Sequence, residues 1–179
     1  MTCYGADRLA DSFRTVRKNT IVLAEEIPAD KYDFRPAAGV RTVGELLAHV
    51  AVATRWHLQL HSEGVTFVDF ETFAANLARA AGAEQLLRTK DEIVAALKTD
   101  GEQFASFLAG LSDEQLEERV GFPPPLQPST KSRLEMLLAI KEHEMHHRGQ
   151  LMLIQRLLGI VPHLTREREA MRAQASARA

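Results

Sequence analysis

Apolar residues recur at steps of three and four over four long stretches, and the helices this spacing predicts account for most of the chain. The first runs from about Asp7 to Ile27. Leu9, Phe13, Val16, Thr20, Leu23, Ala24 and Ile27 lie on one side, with Arg14, Arg17, Lys18 and Glu25 largely on the other, and Pro28 stops it. An ordered loop follows to Arg41, anchored by Tyr32 and Phe34. Thr42 opens the second helix, where Glu45 completes a capping box. Val43, Leu46, Val50 and Ala53 form its buried face, and it continues past Trp56 towards Ser62. From Glu63 to Arg88 the pattern weakens to a long link with a short helical piece near Glu71 to Ala81, punctuated by Gly64 and Gly82. A second capping box, Thr89 to Glu92, starts the third helix, which buries Ile93, Ala96, Leu97, Phe104, Phe107 and Leu108 and ends at Gly110.

A short turn of helix after Ser112 leads to Pro123, Pro124, Pro125 and Pro128, which forbid helix and make a stiff loop. Thr130 or Ser132 caps the fourth helix, with Glu135 able to close a box onto Ser132. Its stripe of Met136, Ile140, Leu151, Ile154 and Leu158 runs to Gly159 and Pro162. The remaining tail has helix propensity but almost no apolar face, so it is expected to fray or to dock on a partner. No strand-like alternation persists. The expectation is an all-α four-helix bundle over residues 1–160, with a C-terminal tail over 161–179.

Composition narrows the function classes. Hydrophobic residues make up 45% and charged residues 26%, which is globular rather than disordered. A net charge of −2 announces no basic surface, so no nucleic-acid partner is expected. A single cysteine, Cys3, excludes an internal disulfide framework and suits a reducing cytosol. No signal peptide opens the chain, and no apolar run approaches the ~20 residues of a membrane span. The expected setting is cytoplasmic.

The segment from Lys141 to Leu151, K-E-H-E-M-H-H-R-G-Q-L, concentrates the chemistry. His143 and His147 fall on the apolar stripe one turn apart, the spacing of two helical ligands for a divalent metal. Glu144 stands in the second position, which alone does not prove protease chemistry. The pair needs a third ligand. His49, between Leu46 and Ala53 on the second helix, is the candidate, although taken alone such a residue is more often a hydrogen-bonded core histidine. His146 lies about 100° around the helix from His147 and is read as a flanking residue. His57 and His61 form a second pair, read as lining the bundle end or an interface. Glu45 sits one turn before His49 and could orient it, but its capping box already occupies it. Arg148 is read as an ion-pair partner rather than an anion site. Gly149 costs about 1 kcal/mol against alanine in mid-helix, which points to a close helix contact.

Three stretches, T-V-G-E-L-L-A-H-V-A from Thr42, E-H-E-M-H-H-R-G-Q-L from Glu142, and the lead-in Tyr32-Asp33-Phe34-Arg35-Pro36, resemble the DinB-like superfamily. The resemblance implies a four-helix bundle of up-down-down-up topology, which the long link suits. It also implies a divalent metal, zinc or nickel, held by one histidine of helix two and two of helix four, which fall on His49, His143 and His147. Relatives include thiol S-transferases and isomerases that use bacillithiol or mycothiol, and hydrolases. The implied function is therefore a metal-dependent enzyme activating water or a low-molecular-weight thiol for transfer or hydrolysis of a small molecule. The alternative is a non-catalytic, metal-binding, stress-related bundle protein. Cys3 is not assigned as a nucleophile, and no catalytic side chain is named. Relatives are often dimeric, and Leu47, Trp56, Leu58 and Leu60 make helix two apolar around much of its circumference, so a homodimer is expected. The competing expectation is that the 63–88 link folds over these residues within a monomer.

Overall fold

The computed structural model describes residues 4–178, and in it the four periodic segments are the long helices α1 (Ala6–Glu26), α2 (Val43–Ser62), α4 (Lys90–Ala109) and α6 (Arg133–Leu157). The local signals act as read. Thr42, Thr89 and Ser132 each accept from the backbone N–H three residues on, while Glu45, Glu92 and Glu135 reach back to the cap. Gly159, at φ 78°, ends α6 in the left-handed conformation that favours glycine. Cross-links between helices fix their directions. Ser12 meets Lys141, Arg17 meets Glu144 and Glu26 meets Gln155, so α1 and α6 are parallel. Phe13 packs edge-on against Phe104 while Glu25 pairs with Lys98, so α4 runs against α1. His49 meets His143 and His61 meets Arg133, so α2 runs against α6. The result is a four-helix bundle running up-down-down-up.

Two large apolar clusters fill it, beside a smaller one of Leu60, Val68, Val120 and Met136. One joins Leu9, Phe13, Phe104, Leu108, Leu137 and Ile140; the other joins Leu23, Ile27, Val43, Leu47, Leu97, Leu151 and Ile154. Between them along the helices lies a buried ion pair that corrects the reading of α1. Arg17 belongs to the core, 4% exposed, not to the polar face. Its guanidinium meets Glu144 at 2.9 Å and donates to the carbonyls of Leu97 and Val50, so one side chain touches all four long helices. Gly101 makes room for it: a Cβ there would lie 2.7 Å from Arg17 Cγ.

Three further elements depart from expectation. The link between α2 and α4 is mostly one helix, α3 (Phe70–Leu86), of 17 residues. Asp69 caps it by accepting from the Thr72 N–H, and Gly82 sits inside it rather than ending it. α3 packs along α2, where Trp56 stacks edge-on against Phe73 at 5.6 Å, while Leu47, Leu58 and Leu60 are taken up by the bundle's apolar clusters. The apolar circumference of α2 is thus explained within the chain, and the surface that suggested a dimer interface is not free. After the short α5 (Asp113–Glu117), strands β1 (Arg119–Gly121) and β2 (Thr130–Ser132) pair antiparallel and clamp the proline loop. Three residues each are too few for alternation to be seen in the sequence. Finally, α7 (His163–Ser176) makes the tail helical, tied to α1 by Arg166–Glu26 and His163–Asn19. Cys3 lies outside the described residues. Among the described residues, no helix is long and apolar enough to cross a membrane.

Candidate metal centre

α2 and α6 bring His49, His143 and His147 together. Their ligand atoms all lie within 4.8 Å of one another, with His143 Nε2 at 2.9 Å from His49 Nε2 and 3.1 Å from His147 Nε2. The other ring nitrogens reveal the tautomers. His49 Nδ1 is 2.7 Å from Glu84 Oε1, and His147 Nδ1 is 2.8 Å from Gln150 Oε1. Both partners are acceptors, so both Nδ1 atoms carry protons when the rings are neutral, and both Nε2 lone pairs face inward. Burial holds His143 down at about 4, helped by His147 and His49. Burial also lowers His147, against the hydrogen bond to Gln150 that raises it. Near neutral pH these two rings are therefore uncharged.

Two positioning residues escaped the sequence reading. Glu84 arrives from the last turn of α3, and Arg41 stands 3.7 Å from its other oxygen. The box residue Glu45 stays with Thr42 and Arg35 instead. Gln150 accepts from His147 and donates to His146 Nε2 at 3.1 Å, so His146 lies outside the three-nitrogen cluster and steadies it from the rim. An i,i+3 partner on the same helix was a readable signal for Gln150; Glu84 had none. Glu84 and Arg41 also border an open cleft of about 1000 Å³, with Arg35 and Arg88 on its walls.

The remaining candidates fall elsewhere. Glu144 turns away from the cluster and is spent on Arg17, which takes it out of the position of a protease base. His61 is buried, with Nδ1 2.9 Å from Arg133 Nη1; since arginine only donates, this nitrogen is the acceptor. His57 is half-buried, and its Nδ1 is shielded without a partner. His61 therefore sits at the bundle end, where the last turn of α2 meets the start of α6. Arg148 is half-buried and makes no ion pair among the described residues, contrary to its reading. Gly149 is exposed, and a Cβ at this position would meet nothing within 4 Å, so the close helix contact expected there is absent within this chain.

Comparison with known proteins follows the same lines. YjoA of Bacillus subtilis is 27% identical over 158 residues, spanning 86% of this chain and 91% of its own. The crystal structure of that DinB-like protein superposes with a TM-score of 0.63, covering 85% of this chain and 92% of its own, at 24% identity. YfiT, also from Bacillus subtilis, gives a TM-score of 0.65 at 16% identity, covering 87% and 88% of the two chains. It is described as a probable metal-dependent hydrolase with an unusual four-helix bundle topology. The DinB superfamily model matches residues 12–151, from within α1 to the end of the histidine segment. The chain belongs to the DinB superfamily.

Proposed function

We propose that this protein is a metal-dependent enzyme in which His49, His143 and His147 hold one divalent ion, zinc or nickel, for transfer or hydrolysis of a small molecule. One observation carries the reading. With Glu84 and Gln150 occupying the Nδ1 protons, two Nε2 lone pairs aim at a third nitrogen that has at most one proton to offer. Imidazole lone pairs crowded together, with burial disfavouring protonation of His143 and His147, are what a cation satisfies, and three neutral imidazoles leave an ion an open position. The description of YfiT points the same way. The chemistry a bound ion supplies is Lewis acidity, which brings water or a thiol to ionise near neutral pH.

The chain's own residues do the rest. Glu84 and Gln150 fix the ring orientations, so little reorganisation accompanies binding. Arg41, on the cleft side of Glu84, offers a guanidinium to an anionic group of the substrate or of a low-molecular-weight thiol. Elemental analysis tests the reading: one equivalent of ion per wild-type chain is expected, and none in His147→Ala. Full stoichiometry in that variant removes His147 as a ligand. Turnover of a thiol or ester substrate that vanishes on chelation and returns with the ion separates the enzyme from a non-catalytic metal-binding protein. We also propose a homodimer, built on a different helix face from α2.

A further inference from the structure

The metal centre leaves two features without a role, the chain's single tryptophan and its proline loop, and these meet in space. A cavity of about 310 Å³ lies between α2, the start of α3 and the β1–β2 hairpin, walled by Trp56, Phe70, Phe73, Phe122, Leu126 and Pro128. That volume is at the lower end of small-molecule pockets. Its frame is held from several sides. Val68 N–H donates to the Gly121 carbonyl at 3.0 Å, and Gly121 N–H donates to that of Thr66 at 2.8 Å, which ties the α2–α3 connection to β1. The prolines restrict the backbone of the facing loop. Meanwhile Phe70 and Phe73 keep 52% and 43% of their surface in solvent, an arrangement that leaves apolar area for a ligand to cover.

The polar groups indicate the ligand's chemistry. Trp56 contributes its indole to the wall, with Nε1 buried away from solvent. Two charges border it. Asp69 is committed to the Thr72 N–H as the α3 cap, at 2.7 Å. The Lys131 ammonium makes no hydrogen bond or ion pair among the described residues; Glu135, the carboxylate its charge acts on, is already engaged by the Ser132 N–H and Arg119. Asp69 stays ionised but is drawn onto the α3 N-terminus, which leaves the Lys131 ammonium as the rim group able to meet an anion.

We propose that this cavity is a second ligand site, taking a small amphipathic carboxylate whose aryl or short acyl body lies against the aromatic walls and whose carboxylate pairs with Lys131. Trp56 lies two helical turns from His49, about 10 Å along α2. The site stands independently of the metal reading.

Trp56 is the chain's only tryptophan, so its fluorescence reports the site directly. The purified full-length protein is titrated with 4-phenylbutyrate and, in parallel, with the uncharged 4-phenylbutanol. A saturable change in emission is expected, tighter for the carboxylate. Lys131→Met is expected to weaken the carboxylate roughly threefold to tenfold, the effect of one half-buried ion pair, while leaving the alcohol unchanged. Phe73→Ser, at a partly exposed helix position, is expected to weaken both. His147→Ala is expected to bind both ligands as the wild type does, which distinguishes this site from the metal centre. No saturable change with either ligand overturns the pocket. Equal affinity for acid and alcohol, or a Lys131→Met variant that binds the acid normally, overturns the carboxylate assignment.

Discussion

Glu84 shows how a single distant carboxylate decides what a histidine can do. Its hydrogen bond to His49 Nδ1 fixes which nitrogen faces His143, and a partner of this kind is worth about 10- to 100-fold in metal affinity. Glu84→Ala is therefore expected to weaken metal binding by roughly that factor in a competition assay with a chelating indicator, with the helical circular dichroism unchanged. Wild-type affinity would remove Glu84 from the centre. His57 makes a separate prediction. Burial pushes it down to about 4, from an ordinary value of 6.5. The unfolded chain then takes up the proton first, so the stabilisation is complete above pH 6.5 and is lost as pH falls towards 4. In chelated protein, His57→Phe is expected to reduce the pH dependence of urea-unfolding stability between pH 6.5 and 4.5 by up to about 1.4 kcal/mol per pH unit. Identical slopes would show that His57 is not shielded. The three clustered histidines were legible because each sits on the apolar stripe of an amphipathic helix. Glu84 was not, because its pairing depends on how α3 docks, and nothing within α3's own sequence encodes that.

The elements divide in the same way between local and tertiary causes. Three capping boxes and the glycine after α6 mark helix ends within a residue or two, because a cap is satisfied by atoms three or four residues away. α3 was underread for the opposite reason: it has no buried residue, so its apolar pattern is faint, and an internal glycine costs a helix only about 1 kcal/mol, too little to end one. Arg17 misled in turn, since a charged residue in a helix is ordinarily solvated. Here it is matched by Glu144 from 127 positions away and by a gap opened by Gly101. Removing one partner of such a pair leaves a buried charge uncompensated, at a cost of about 3–5 kcal/mol. Glu144→Ala is accordingly expected to lower unfolding stability by about that amount in urea titration. A loss below about 1 kcal/mol, the level of a surface pair, would mean that Arg17 and Glu144 do not tie the helices together.

Over the whole molecule, the direction of each helix follows from the long link. An antiparallel return needs only a short turn, but α2 and α4 run the same way, so the chain must travel back the length of the bundle between them, and α3 does this. In doing so it covers the Trp56 side of α2, and a different face of the bundle is left uncovered. On α6, Met145, Gly149, Leu153 and Leu157 follow one another at steps of four; the three apolar side chains are 45–60% exposed and the glycine has open space in front of it. A stripe of this kind, with its smallest residue in the middle, lets a second helix approach closely. The homodimer we propose forms on this face, beside His146 and Gln150, which would bring the rims of two metal centres near each other. Light scattering at micromolar concentration is expected to give twice the chain mass of 19.9 kDa for the wild type and a single chain mass for Leu153→Glu, which places a charge in the stripe. The same substitution sits in solvent in a monomer, so it should leave folding intact. A wild-type mass of one chain, unchanged on concentrating the sample, would sink the dimer; a Leu153→Glu protein that remains dimeric would move the interface off α6.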